Sequence, residues 1–187
     1  FSMEYIRGTD LQHKIDDGVL EPEDAARYVR DVALAIGHAH QKGVIHRDIK
    51  PSNVLVTVTD GAPHPMVIDF GVAKGLEKPL VDHESLATRD GVPVGTPQYM
   101  SPEQAQKSLA NVDRRSDIFS LGVILYEMCI GKVPFTGETP VEVLINVAQR
   151  EPDPPRKLKK TVSKDLEAII LKAMEKDREK RYQTSQE

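Results

Sequence analysis

The chain has 187 residues, with 25 Lys and Arg against 29 Asp and Glu and a net charge of −4. That length suits one domain with a buried core, and 39% apolar with 29% charged residues excludes wholesale disorder and collagen-like repeats. A single cysteine, Cys129, excludes a disulfide framework, and no long apolar run or basic block points to a membrane span or a nucleic-acid partner.

Residues 1–6 read as the end of a strand leading into a connector at 7–10. A short helix is predicted over 11–17, stopped by Gly18. Pro22, Glu23 and Asp24 make a good first turn, and Val29, Val32, Ala33, Ile36 and His40 then recur at helical spacing until Gly43. The β-branched runs 54–58 and 66–68 predict a hairpin with a long turn over 59–65. Residues 71–103 lack periodicity, which marks a functional or mobile loop. Ile118, Leu121, Gly122, Leu125 and Met128 define a helix apolar nearly all round, hence central. Residues 140–149 form a second short helix, and 151–155 a stiff loop. Ser163 caps a third helix carrying Leu166, Ile169, Ile170, Ala173 and Met174 on one face. The expected fold class is mainly α (α+β), a helical bundle with short hairpin strands.

Three segments are polar where their neighbours are apolar: His46-Arg47-Asp48-Ile49-Lys50-Pro51-Ser52-Asn53, Asp69-Phe70-Gly71, and Gly95-Thr96-Pro97-Gln98-Tyr99-Met100-Ser101-Pro102-Glu103. Asp48 and Asn53 lie five positions apart across a proline turn, so both can face one site. A carboxylate and an amide oxygen are hard ligands suited to Mg²⁺, and Asp69 supplies a second acid from a strand end. Lys50 offers a point charge for a phosphoryl oxygen. This set favours phosphoryl transfer over zinc hydrolysis. A lone residue of this kind would read as a turn-capping Asx side chain; three with Lys50 do not.

HRDIKPSN, DFG and SPE, in that order, resemble the catalytic loop, magnesium motif and APE-type motif of eukaryotic-type Ser/Thr protein kinases, whose role assignments are a general template. Residues 116–128, 132–135 and 177–181 extend the resemblance over the whole chain, and GTPQYMSPEQA is similar to the bacterial members most. The resemblance implies a large C-terminal lobe, with the hinge at 1–10, the lobe at 11–187 and the activation segment at 69–103. It implies that the intact protein transfers the γ-phosphoryl group of ATP to Ser or Thr hydroxyls of protein substrates. Asp48 would orient the substrate hydroxyl, Lys50 would contact the transferring phosphate, and Asn53 and Asp69 would hold Mg²⁺. Thr96 would hydrogen-bond Asp48 and Lys50. Met3 would be the gatekeeper, Glu4 and Ile6 would meet adenine through their backbones, Asp10 would meet the ribose, and Leu55 would form the floor under the base. Glu103 is expected to pair with Arg181, and Asp117 to brace the catalytic-loop backbone. A homodimer for activation and a cytoplasmic location, or the cytoplasmic face of a membrane, complete the expectation.

The chain opens on Phe1 and stops in mid-pattern at Glu187, so it reads as a piece of a longer protein. No glycine-rich loop or Val-Ala-Ile-Lys strand precedes Phe1 within it, so the isolated chain is expected to bind ATP weakly and to be inactive alone. The alternative from a different class is an incompetent lobe acting as a docking or regulatory module. Arg47 before Asp48 is typical of kinases switched on by an activation-segment phosphate, yet Val92 stands at the usual acceptor position. Ser85, Thr88 or no phosphosite remain open. Among the histidines, His40 and His46 are expected to pack rather than bind metal, Cys129 to be a small buried hydrophobe, and 156–160 to be either a docking patch or a solvated face.

Overall fold

The computed structural model describes residues 7–59, 61–70, 96–106 and 111–187, so the strand expected at 1–6 lies outside the described residues. Helix α1 (Leu11–Asp16) is capped at its start by Asp10, whose side chain accepts from His13 N, and ends at Asp16, one residue earlier than the sequence pattern predicts. Helix α2 (Pro22–Gln41) carries Pro22 in its first turn with Glu23 and Asp24, and buries Val29, Val32 and Ile36. Those acids sit at the positive end of the helix dipole. Gly43 then adopts φ 75° to turn the chain back.

Strands β1 (Thr9–Asp10), β2 (Val54–Thr59) and β3 (Ala62–Val67) form one antiparallel sheet in the order β1-β2-β3. The hairpin turn is shorter than predicted. Thr59 pairs with Ala62, so two residues connect the strands, and Gly61 lies at φ 78°. Pro63 and Pro65, which read as turn residues, instead sit within β3 opposite Val58 and Val56. Edge position permits this: among the described residues β3 has β2 on one side only, and two prolines of the same parity aim their missing N–H groups outward. Val54 and Val56 face the core, whereas Leu55 is half-buried on the other face, paired with Asp10 and Met66. Asp10, Leu55 and Met66 thus form one row across the sheet.

Helix α4 (Arg114–Ile130) is the axis of the molecule, with every residue from Ser116 to Cys129 buried. Asp113 caps its start by accepting from Arg115 N, and Gly131 at φ 84° ends it. Packed around it are α2, α6 (Pro155–Leu158) and α7 (Lys164–Ala173), while α5 (Pro140–Gln149) packs on the segment 97–105. Residues 151–154 form the loop expected there, and the short turn α6 begins at Pro155, its last predicted residue. Ser163 caps α7 by accepting from Leu166 N, as predicted, and Leu166, Ile170, Ala173 and Met174 are buried. Ile169 is not. It is 45% exposed and, with Leu34, edges an apolar cleft of about 460 Å³ between α2, α4 and α7. Positions 166, 170 and 173 already span the buried stripe, and Ile169 lies about 70° from its centre.

Cys129 is fully buried, and burial pushes its thiol up to about 11, as befits a small core hydrophobe. Gly122 is where α4 meets the end of α7: an added methyl would lie 2.8 Å from Ala173 Cβ and 2.9 Å from Met174 Cγ. Gly122→Ala is therefore expected to destabilise by about 1–3 kcal/mol despite alanine's better helix propensity. Urea unfolding checks this; a midpoint equal to or above wild type would contradict the close packing. Among the described residues, no helix is long and apolar enough to cross a membrane.

Candidate active site

Four polar residues interrupt the apolar surface of α4, and each reaches a loop. Ser116, Ser120 and Glu127 recur at i, i+4 and i+11, which places them on one stripe. Ser116 donates to Glu103 (2.6 Å), Ser120 to the carbonyl of Tyr99 (2.7 Å), and Glu127 accepts from the Tyr99 hydroxyl (2.7 Å). This stripe fixes the segment that includes the 3₁₀ turn Pro97–Tyr99 and helix α3 (Pro102–Ala105). Burial raises the Glu127 carboxyl, against the lowering effect of the Tyr99 hydroxyl. Asp117, one residue round the helix, faces the segment 46–48 instead. Its Oδ1 accepts from Arg47 N (2.8 Å), and its Oδ2 accepts from His46 N (2.9 Å) and lies 2.7 Å from His40 Nε2. Those contacts hold Arg47 at φ 66°, a left-handed conformation that costs about 1–3 kcal/mol for a residue with a side chain. Asp117 thus braces the loop as the sequence implies, and the expectation that His40 merely packs is corrected.

His46 is fully buried and has a defined tautomer. Its Nε2 is 3.0 Å from the Ile68 carbonyl, which only accepts, so Nε2 carries the proton. Its Nδ1 then accepts from Asp48 N (3.3 Å). The ring also meets Phe70 at a centroid distance of 4.9 Å. One imidazole therefore ties the segment bearing Asp48 to the one bearing Asp69, which again corrects a packing-only role. His38 is exposed, and no metal-binding histidine array exists among the described residues.

Burial alternates along the loop: His46, Ile49, Pro51 and Asn53 point inward while Asp48 and Lys50 are partly exposed. Pro51 opens the 3₁₀ turn Pro51–Asn53, which brings Asn53 back beneath Asp48. Asn53 Nδ2 donates to the Asp48 carbonyl (2.9 Å) and approaches Asp48 Oδ2 (3.4 Å), and Lys50 Nζ donates to that same oxygen (3.2 Å). Asn53 O accepts from Ile68 N (3.0 Å), which joins this loop to the strand end. Asp69 follows immediately, exposed and at φ 57°, a left-handed conformation that Asp tolerates better than most residues. Asp48, Lys50 and Asn53 thus touch one another, and Asp69 is carried to them by neighbours that bond His46 and Asn53.

Other expected site residues fare differently. Thr96 is exposed and makes no hydrogen bond to Asp48 or Lys50; its carbonyl accepts from Tyr99 N (3.4 Å) as the 3₁₀ turn begins. Asp10 spends both carboxylate oxygens on His13, with Nδ1 at 2.9 and 3.0 Å, and this contact holds its carboxyl below the usual range. Leu55 is half-buried beside it. Met3, Glu4, Ile6, Ser85, Thr88 and Val92 lie outside the described residues. Glu103 and Arg181 pair through two parallel bonds of 2.9 and 2.8 Å, as expected.

The donor chemistry fits magnesium. Asn53 gives its amide nitrogen to Asp48, and among the described residues neither its Oδ1 nor the Asp69 carboxylate accepts a hydrogen bond. No three His, Cys, Asp or Glu side chains gather into a cage among those residues. Two hard oxygens suit an ion that keeps waters and substrate phosphates as its other ligands.

Over residues 1–187 the sequence matches the family described as protein kinase domain. It is 40% identical over 186 residues to serine/threonine-protein kinase PknB of Mycobacterium leprae, covering 99% of this chain and 28% of that protein. Identity to PknB of Mycobacterium tuberculosis is 39%, with the same coverage. The chain therefore spans just over a quarter of the length of these curated relatives. Among solved structures, the PknI kinase domain of Mycobacterium tuberculosis superposes with a TM-score of 0.69 at 22% identity, covering 98% of this chain and 60% of that one. At that identity the likeness shows the fold, a kinase-like C-terminal lobe.

Proposed function

The chain belongs to the protein kinase domain family, and from that premise we propose that it is the catalytic lobe of a protein that phosphorylates Ser and Thr hydroxyls of other proteins. The family generally uses ATP and Mg²⁺. The observation that carries the reading is the convergence of Lys50 and Asn53 on Asp48 at the end of the loop that Asp117 braces. In the proposed reaction, Asp48 accepts a hydrogen bond from the substrate hydroxyl and aims its oxygen at the phosphorus. Lys50, now donating to Asp48 Oδ2, shares its charge with the transferring phosphoryl oxygens. Asn53 and Asp69 would hold Mg²⁺, which would supply the positive charge that phosphoryl transfer needs. Asp10, Leu55 and Met66, in one row on the sheet, flank the nucleotide, with Met3, Glu4 and Ile6 at the adenine edge. Residues 1–10 then act as hinge, 11–187 as lobe and 69–103 as activation segment. Thr96 contacts Asp48 and Lys50 only once substrate is seated.

Arg47 adds a regulatory element to the proposal. Its Nε is buried without a hydrogen-bond partner among the described residues, so an anion in the activation segment, a phosphate on Ser85 or Thr88, satisfies it. A homodimer brings two such segments together for mutual phosphorylation. The test is mass spectrometry on a Ser/Thr-rich protein substrate incubated with the full-length protein, ATP and Mg²⁺. Phosphoserine and phosphothreonine are expected; phosphotyrosine alone, or no transfer, rejects the reading and favours a docking module.

A further inference from the structure

The two peptides that flank the Arg47 α-carbon are each gripped by a side chain from a distant element. On one side Arg47 N–H donates to Asp117 of α4 (2.8 Å). On the other, the Arg47 carbonyl accepts from Gln104 Nε2 at 2.8 Å, a contact between residues 57 positions apart. We propose that Gln104 is a positioning residue that sets the orientation of Asp48 by holding this carbonyl, and so couples the reacting carboxylate to the closing turn of the activation segment. This rests on the reading of Asp48 given above.

Gln104 is itself locked. Its Oε1 accepts from Ser101 N (3.0 Å) and from the Ser101 hydroxyl (3.1 Å), and its own N–H donates back to that hydroxyl (3.4 Å). Ser101 N can only donate and Arg47 O can only accept, so the amide has one possible orientation. Ser101 and Gln104 are a capping box at the start of α3, and the helix is further secured where the next residue after Pro102, Glu103, meets Arg181 and Ser116. The side chain that completes the cap is thus the one that reaches the loop. When 96–106 is seated against α4, the carbonyl of Arg47 has its donor. When that segment lifts away, a residue held at φ 66° loses one of its restraints, and the next peptide, which carries Asp48, keeps only the 3.3 Å contact of its N–H with His46 Nδ1 among the described residues. Asp117 alone fixes N–H groups, not the carbonyl that defines the peptide plane.

Gln104→Glu separates the cap from the clamp. A glutamate keeps the oxygen that Ser101 N needs and suits a helix N-terminus, but has no hydrogen to give Arg47 O. Gln104→Leu removes both functions. In the full-length protein Gln104→Glu is expected to leave the thermal midpoint and the KM for ATP unchanged while lowering kcat about tenfold or more. Amide exchange at 46–48 should quicken while that of α4 stays constant. A kcat within about twofold of wild type, or slow transfer in Gln104→Leu alone, makes Gln104 a cap only and overturns the proposal. If wild-type protein transfers no phosphoryl group, the functional reading fails. The exchange comparison then still decides the clamp: faster exchange at 46–48 in Gln104→Glu supports it, and unchanged exchange overturns it.

Discussion

Asp48→Asn and Asp69→Asn, each in the full-length protein, are expected to lower the rate of phosphoryl transfer by about a thousandfold while leaving the fold intact. Asparagine is chosen for structural reasons. At position 48 it keeps an oxygen for the bonds from Lys50 and Asn53, so the loop retains its shape, yet it cannot take a proton from a hydroxyl. At position 69 the backbone is left-handed, φ 57°, where asparagine is as comfortable as aspartate and alanine is not. Alanine would mix lost charge with backbone strain. The two variants should differ in kind. Asp48 is assigned to the hydroxyl, so its loss is expected to fall on kcat with the KM for ATP little changed. Asp69 is assigned to the ion that accompanies the phosphates, so its loss raises the KM for ATP as well. Steady-state kinetics at varied ATP and Mg²⁺ separate these cases. Activity within about threefold of wild type for either variant removes that residue from the reaction.

Much of this arrangement is legible in the sequence because it is local. Asp48, Lys50 and Asn53 touch across five positions, and a proline turn is enough to predict that they do. Pro22, Ser163 and Gly43 mark helix ends through their own backbone preferences, and the apolar run 118–129 announces a buried helix whatever surrounds it. What stays hidden depends on tertiary distance. His40 meets Asp117 across 77 positions, and nothing in a lone histidine on a helix face tells packing from a 2.7 Å contact. The one available signal was negative: Ser116, Asp117, Ser120 and Glu127 are polar in a helix with no exposed side, and a buried polar group needs a partner. The hairpin was misplaced for another reason. Pro63 and Pro65 read as turn residues because proline breaks ladders, but whether a strand lies at an edge is a property of the sheet.

Arg181 presents the largest expected effect on stability. It is 2% exposed and all five of its N–H groups are spent. Two go to the carboxylate of Glu103, and the others go to the carbonyls of Glu175 (2.6 Å), Arg115 (3.1 Å) and Lys176 (3.1 Å). The guanidinium also lies 5.0 Å from the Phe119 ring centroid. Among the described residues the other side chain bonded to Glu103 is the neutral Ser116, so either partner alone is a buried charge with no counterion there. Arg181→Met and Glu103→Gln are each expected to cost about 3–5 kcal/mol in urea unfolding. Their combination should cost clearly less than the sum, since the second change removes the charge that the first one strands. The pH dependence carries a definite sign. Burial pushes the Glu103 carboxyl up, but the Arg181 guanidinium and the Ser116 hydroxyl outweigh it and hold it below its ordinary value of 4.5. The stability from this group is therefore present above that value and is lost as pH falls through the lower folded one. Arg181→Met removes the lowering influence, so its acid transition should begin at higher pH than that of wild type. Single variants that each lose less than about 1 kcal/mol, or an acid transition that does not move, would mean that the pair is solvent-screened and does not tie the activation segment to the lobe.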